Sequence, residues 1–181
     1  MKSPGNQILR RCVFFDRDGI ANQSPGPGYV ERVEDFHILP EFLESLQVVR
    51  DKGYVAVIIT NQRGVGLGVM SEATLRDIHG KLREAVTDSG SDLLDIYYCT
   101  ATENSDPMRK PNPGMLLKAA QDHGIDLAQS WMIGDNEKDA LAGNRAGCRT
   151  ILVSPSPPTD SVADIIIDEI SDLPDCLRLQ V

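Results

Sequence analysis

Short apolar runs alternate along this chain with stretches in which apolar residues recur every three or four positions. Residues 13–15, 54–59, 96–99, 131–133, 150–153 and 165–167 are brief and apolar at successive positions, so they predict strands covered on both faces. Residues 41–52, 71–88, 113–123 and 136–146 have the helical period. Phe42, Leu43, Leu46 and Val49 share one face of the first, and Leu75, Ile78, Leu82 and Val86 one face of the second.

The punctuation agrees. Gly53, Gly124 and Gly147 follow three of these helices, and Ser71 is placed to cap another. Strands alternating with helices predict an α/β fold: a doubly wound, mostly parallel sheet in three layers. The expected organisation is one domain over residues 1–181, with a core over about 12–153 and a C-terminal strand and helix over about 162–181, the helix broken by Pro174. One interval breaks the rhythm. Residues 17–39 separate the first strand from the first helix, with Pro25, Gly26, Pro27 and Gly28 in the middle. So long a connection usually has a function, and this one leaves the carboxyl end of a strand, where open α/β sheets bind ligands.

Composition narrows the choice. At 181 residues and 41% apolar the chain suits one globular domain. The longest apolar run, residues 54–59, is far shorter than the ~20 residues a membrane span needs. Residues 1–11 carry charge but no apolar segment, so no secretory signal is read and a cytoplasmic location is expected. A net charge of −9 argues against nucleic acid as a partner, so an anionic substrate would need a local basic focus. Cys12, Cys99, Cys148 and Cys176 are far apart with no Cys-x-x-Cys, which predicts free, buried thiols.

The chemistry gathers where strands end. The first strand runs into Asp16-Arg17-Asp18-Gly19, the second into Thr60-Asn61-Gln62-Arg63, and the fourth into Gly134-Asp135-Asn136-Glu137-Lys138-Asp139, while Arg109-Lys110-Pro111 precedes a helix. A parallel sheet brings these ends to one edge. Asp16, Asp18, Asp135 and Asp139 would then crowd together, at an electrostatic cost that a cation among them would relieve. Oxygen-only ligands favour a hard ion such as Mg2+.

These four motifs, in this order, resemble the haloacid dehalogenase-like phosphohydrolases. Gly28-Tyr29-Val30, residues 96–99 and Arg109 to Met115 are similar to the branch of heptose-bisphosphate and histidinol phosphatases. The resemblance implies Asp16 as nucleophile and Asp18 as general acid and base. It implies Mg2+ held by Asp16, the Asp18 carbonyl and Asp135, with Asp139 steering a metal-bound water. Thr60 and Lys110 would donate to the phosphoryl oxygens. Substrate contacts would come from Arg17, Gly28, Tyr29, Asn61, Gln62, Arg63, Arg109 and Asn136, with Arg109 suited to a second anion. The implied substrate is a small phosphorylated metabolite, first a heptose bisphosphate and second histidinol phosphate, handled by a monomer with no membrane or nucleic-acid partner. A capless phosphatase of phosphoproteins and a receiver-type phospho-acceptor domain are the competing readings.

Two departures stand out. The branch's Cys/His zinc loop is reduced to Cys99, since residues 100–108 hold no other Cys and no His, so no structural zinc is expected. Ile20 replaces a more usual Thr or Val, with no expected loss of activity. The intervals are too short for a folded cap, so the 25–29 loop must discriminate substrates. Gly64-x-Gly66-x-Gly68 has the wrong spacing for a dinucleotide loop and reads as a flexible, close-approach loop beside the substrate. His37, His79 and His123 read as solvated or capping residues, and Trp131 as the start of a buried strand.

Overall fold

The computed structural model describes residues 9–181, and the expected lack of a secretory signal over residues 1–11 falls mostly outside that range. Six strands form one sheet: β1 (Cys12–Phe15), β2 (Val55–Asn61), β3 (Asp95–Cys99), β4 (Trp131–Gly134), β5 (Arg149–Val153) and β6 (Ile165–Ile167). Their order is β3-β2-β1-β4-β5-β6 and every neighbouring pair is parallel. Phe15 of β1 lies beside Ile58 of β2 on one side and Ile133 of β4 on the other.

The helices are α1 (Pro40–Asp51), α2 (Arg63–Gly66), α3 (Glu72–Asp88), α4 (Gly114–His123), α5 (Glu137–Ala146) and α6 (Leu173–Gln180). Alternation along β1 divides the core. Val13 and Phe15 pack with Phe42, Leu46, Leu75, Ile78 and Leu177 under α1, α3 and α6. Cys12 and Phe14 pack with Met115, Leu116, Ala119 and Ala142 under α4 and α5. The four inner strands β1, β2, β4 and β5 are thus buried on both faces, which is why their apolar residues run without a polar alternate, while the edge strands β3 and β6 are half-buried. Trp131 is buried at the start of β4, as expected.

Local signals explain most helix ends. Pro40 opens α1 at a position that needs no N–H. Ser71 accepts a hydrogen bond from the Thr74 amide at the start of α3. Gly124 and Gly147 close α4 and α5 in the left-handed conformation. Three expectations need correction. Pro174 does not break the last helix but lies in the first turn of α6, where its missing donor costs nothing. The glycine-rich stretch after β2 begins as the helical turn α2 rather than a flexible loop, although it makes the expected close approaches. A Cβ on Gly64 would stand 3.0 Å from the Tyr29 ring, and one on Gly66 would stand 2.0 Å from the Thr100 carbonyl oxygen. His79 is buried rather than solvated.

Residues 16–39 fold into a flap. Gln23 N donates to His37 O at 2.8 Å and Leu39 N to Ala21 O at 3.0 Å, closing its base, while Ile20, Val30 and Phe36 anchor it in the core. Cys12, Cys99 and Cys148 are free and buried, and Cys176 is free and half-buried. No helix among the described residues is long and apolar enough to cross a membrane.

Candidate active site

The strand order reverses between β1 and β4. Chains leaving those two strands diverge to opposite sides, and the crevice between them is where doubly wound sheets bind ligands. A cleft of about 370 Å³ opens there, lined by Asp16, Asp18, Thr60, Lys110, Asp135 and Asp139 on its floor. The flap contributes Ser24 to Gly26, Gly28 and Tyr29 to its wall. All four sequence motifs therefore meet.

Carboxylate oxygens of Asp16, Asp135 and Asp139 lie within 4.8 Å of one another. Two glycines permit that convergence. Gly19, at φ 87°, would place a Cβ 2.0 Å from Asp135 Oδ2, and Gly134 would place one 2.2 Å from Asp139. Lys110 answers part of the charge. Its Nζ donates to Asp16 Oδ1 at 2.8 Å, Asp139 Oδ1 at 2.6 Å and the Ile59 carbonyl at 2.8 Å. Burial alone would lower the Lys110 pKa, but Asp139 and Asp16 outweigh it and raise it. Burial, opposed by Lys110 and reinforced by Asp139 and Asp135, lifts Asp16 to about 8. Burial and then Asp139 lift Asp135 to about 6. One ammonium among three carboxylates leaves negative charge uncompensated, and a purely oxygen donor set of this size fits a hard divalent ion such as Mg2+.

Asp139 sits within the cluster, but both its oxygens already accept: Oδ1 from Lys110 and Oδ2 from the Asn136 amide at 3.1 Å. Asn136 completes a capping box at the start of α5. Asp16 Oδ1 accepts from the Arg17 amide at 2.7 Å as well as from Lys110. Thr60 Oγ1 accepts from Gln62 Nε2 at 2.8 Å, which turns the hydroxyl proton away from Gln62.

Two expected substrate contacts are corrected. The Arg17 side chain is fully buried, pairing with Asp18 at 2.9 Å in the turn that follows β1, and does not line the cleft. Gln62 is buried behind the floor, donating to Asp18 Oδ2 at 3.1 Å and to Thr60. Asn61 lines the cleft, yet its amide pairs with both backbone groups of Lys110 at 3.0 Å and so fixes that lysine. Gly28, Tyr29, Arg63, Arg109 and Asn136 line the cleft. Arg109 is buried, with Nε donating to Asn104 Oδ1 at 3.3 Å and Nη1 to the Ala101 carbonyl at 3.2 Å. Lys138 was absent from the expected set and lines the cleft from the first turn of α5. A cation at a helix N-terminus opposes the helix dipole, and that mismatch was the available signal.

A sequence model of the HAD-hydrolase-like family matches residues 107–164. The D-glycero-beta-D-manno-heptose-1,7-bisphosphate 7-phosphatase of Pasteurella multocida is 34% identical, over 94% of this chain and 98% of that protein. The chain belongs to the haloacid dehalogenase-like phosphohydrolases. The D-glycero-beta-D-manno-heptose-1,7-bisphosphate 7-phosphatase of Photorhabdus laumondii is similar, at 35% identity over 92% of this chain and 95% of that protein. Among solved structures, this phosphohydrolase is similar to a D,D-heptose 1,7-bisphosphate phosphatase from B. bronchiseptica complexed with magnesium and phosphate. The TM-score is 0.81 and the identity 26%, covering 92% of this chain and 97% of that one.

Proposed function

We propose that this phosphohydrolase removes one phosphate from a heptose bisphosphate through a phosphorylated Asp16. The observation that carries the reading is the meeting of Asp16, Asp135 and Lys110 beneath a cleft whose walls hold three further cations, Arg63, Arg109 and Lys138. A second anionic group on the substrate gives those cations a partner, and the similar heptose-bisphosphate phosphatases support that choice.

Asp16 attacks phosphorus with an oxygen while Oδ1 stays held by the Arg17 amide and Lys110. Asp18 gives a proton to the departing sugar oxygen and later takes one from the water that cleaves the acyl phosphate. A Mg2+ ion held by Asp16, Asp135 and the Asp18 carbonyl would neutralise phosphoryl charge. Thr60 donates its hydroxyl proton to a phosphoryl oxygen. Lys110 has three N–H groups and three acceptors, so it reaches the phosphoryl group by exchange. Acylation removes the charge on Asp16, and the ammonium then turns from Asp16 to the new anion. Arg109 has Nη2 unengaged among the described residues and offers it to the distal phosphate. Hydrogen bonds hold the 100–113 segment, such as Met108 N to Asp106 Oδ1 at 2.8 Å and Asn112 Nδ2 to Asp106 O at 2.8 Å, and they support the reading that this segment needs no zinc.

The test is phosphate release with and without Mg2+ across heptose 1,7-bisphosphate, histidinol phosphate, other sugar phosphates and phosphopeptides. The expected result is Mg2+-dependent release, fastest with the heptose bisphosphate and stopping at one phosphate per molecule. Preference for phosphopeptides, or no Mg2+-dependent release at all, would overturn the reading.

A further inference from the structure

We propose that Arg17 is a positioning residue for Asp18, fixing the carboxylate that exchanges protons with the leaving oxygen and with water; this rests on the acid–base role given to Asp18 above. Both Asp18 oxygens are gripped. Oδ1 accepts from Arg17 Nε at 3.2 Å, Arg17 Nη2 at 2.9 Å and Asn22 Nδ2 at 3.0 Å. Oδ2 accepts from Arg17 Nη2 at 3.0 Å and Gln62 Nε2 at 3.1 Å. A guanidinium side-on to a carboxylate fixes its plane as well as its place.

The grip is itself immobilised. The Arg17 side chain is 0% exposed while that of Asp18 is 26% exposed. Behind the guanidinium, the Phe36 ring lies 5.8 Å from its central carbon, and His79 Nε2 stands 3.4 Å from Nη1. The contact with His79 requires a neutral imidazole accepting at Nε2, and His79 is held on the buried face of α3. Gln62 ties the same carboxylate to Thr60, so the acid–base group and a phosphoryl donor share one scaffold. A charged pair this deep is expensive to desolvate and is weak support for stability in itself. Orientation of a reacting group is a use that justifies the cost.

The chemistry makes this role separable from a structural one. As an Asp16 oxygen bonds to phosphorus, the bond from phosphorus to the leaving oxygen breaks with its electron pair, and that oxygen takes the Asp18 proton. An alkoxide needs that proton; p-nitrophenolate leaves well without it. The second-order constant kcat/KM reports events through departure of the leaving group and excludes later hydrolysis of the acyl phosphate.

The experiment compares kcat/KM for β-glycerol phosphate and p-nitrophenyl phosphate in wild type, Arg17→Met and Arg17→Lys, with melting temperature and Mg2+ half-saturation measured alongside. Arg17→Met is expected to lose about 10²-fold on the alkyl ester and less than about threefold on the aryl ester. Equal losses on both esters, or none, would refute the positioning role. Should Arg17→Met fail to fold, Arg17→Lys decides: it keeps the buried charge but not the fork, and a loss of about tenfold confined to the alkyl ester is expected. A uniform loss or none in that variant refutes it equally. Wild-type hydrolysis of both model esters without action on heptose bisphosphate would sink the substrate assignment and leave this test readable.

Discussion

Replacing Lys110 by methionine tests the electrostatics of the floor directly. The side chain is 2% exposed, and its ammonium serves Asp16, Asp139 and the Ile59 carbonyl at 2.6 to 2.8 Å. Methionine fills much of the volume but offers no charge and no donor. Removing one member of a buried ion pair costs about 3–5 kcal/mol because the remaining charge is stranded. In a domain of this size that corresponds to a fall in Tm of about 6–20 °C. The fall should depend on pH. A stranded carboxylate escapes by binding a proton, so its folded pKa rises above the unfolded value. The folded variant then holds a proton that the unfolded chain releases, and the gap to wild type grows by up to about 1.4 kcal/mol per pH unit for each carboxylate that is ionised in wild type at that pH. Thermal melts of metal-free wild type and Lys110→Met at pH 5 and pH 8 make the measurement. The expected gap is small at pH 5 and large at pH 8. A gap that is the same at both values would show that Lys110 is not the counter-charge of the cluster.

The same crowding acts in the wild type: Asp16 at about 8 and Asp135 at about 6 both lie above the ordinary carboxylate range, so the metal-free protein should lose stability as pH climbs from about 4 toward 8. Mg2+ should raise Tm more at pH 8 than at pH 5, where it must displace protons, and the reverse order would contradict the assignment. Gly19→Ala forces a Cβ into Asp135 and a left-handed backbone onto alanine. It should raise the Mg2+ half-saturation at least about tenfold, and an unchanged Mg2+ titration would count against Asp135 as a ligand. Arg109→Ala should raise KM for a bisphosphate by about 10- to 100-fold, and Lys138→Ala, exposed at the rim, by about fivefold, with both leaving a small monophosphate little affected; equal effects on mono- and bisphosphates would deny them the second anion.

The sheet was legible because the inner strands, buried on both faces, must be apolar at successive positions, and all six strands lie where the apolar runs predict them. The site was legible because parallel strands deliver their carboxyl ends to one edge. What the one-dimensional pattern hid was direction. Arg17 reads as a cation beside two catalytic aspartates, yet the turn after β1 folds it into the core against Asp18, Phe36 and His79. Gln62 reads as a polar residue in a substrate motif, and only its contacts reveal that it braces Asp18 and Thr60. The turn α2 was illegible for a different reason. Glycine disfavours helix, so Gly64 and Gly66 reported closeness to Tyr29 and Thr100 rather than local conformation. Lys138 was overlooked because a surface lysine is common, and only its place in a helix's first turn makes it unusual.

The order β3-β2-β1-β4-β5-β6 keeps β1–β3 and β4–β6 each contiguous in the chain, and within the sheet the two blocks pair where β1 lies against β4. Asp16, Asp18 and Thr60 belong to the first block; Asp135 and Asp139 belong to the second, with Lys110 arriving from the connection between them. Neither half alone owns enough of the machinery to process a phosphate ester. Severed into two fragments at that connection, the molecule would recover turnover only on correct reunion along the seam, making catalysis itself a gauge of assembly.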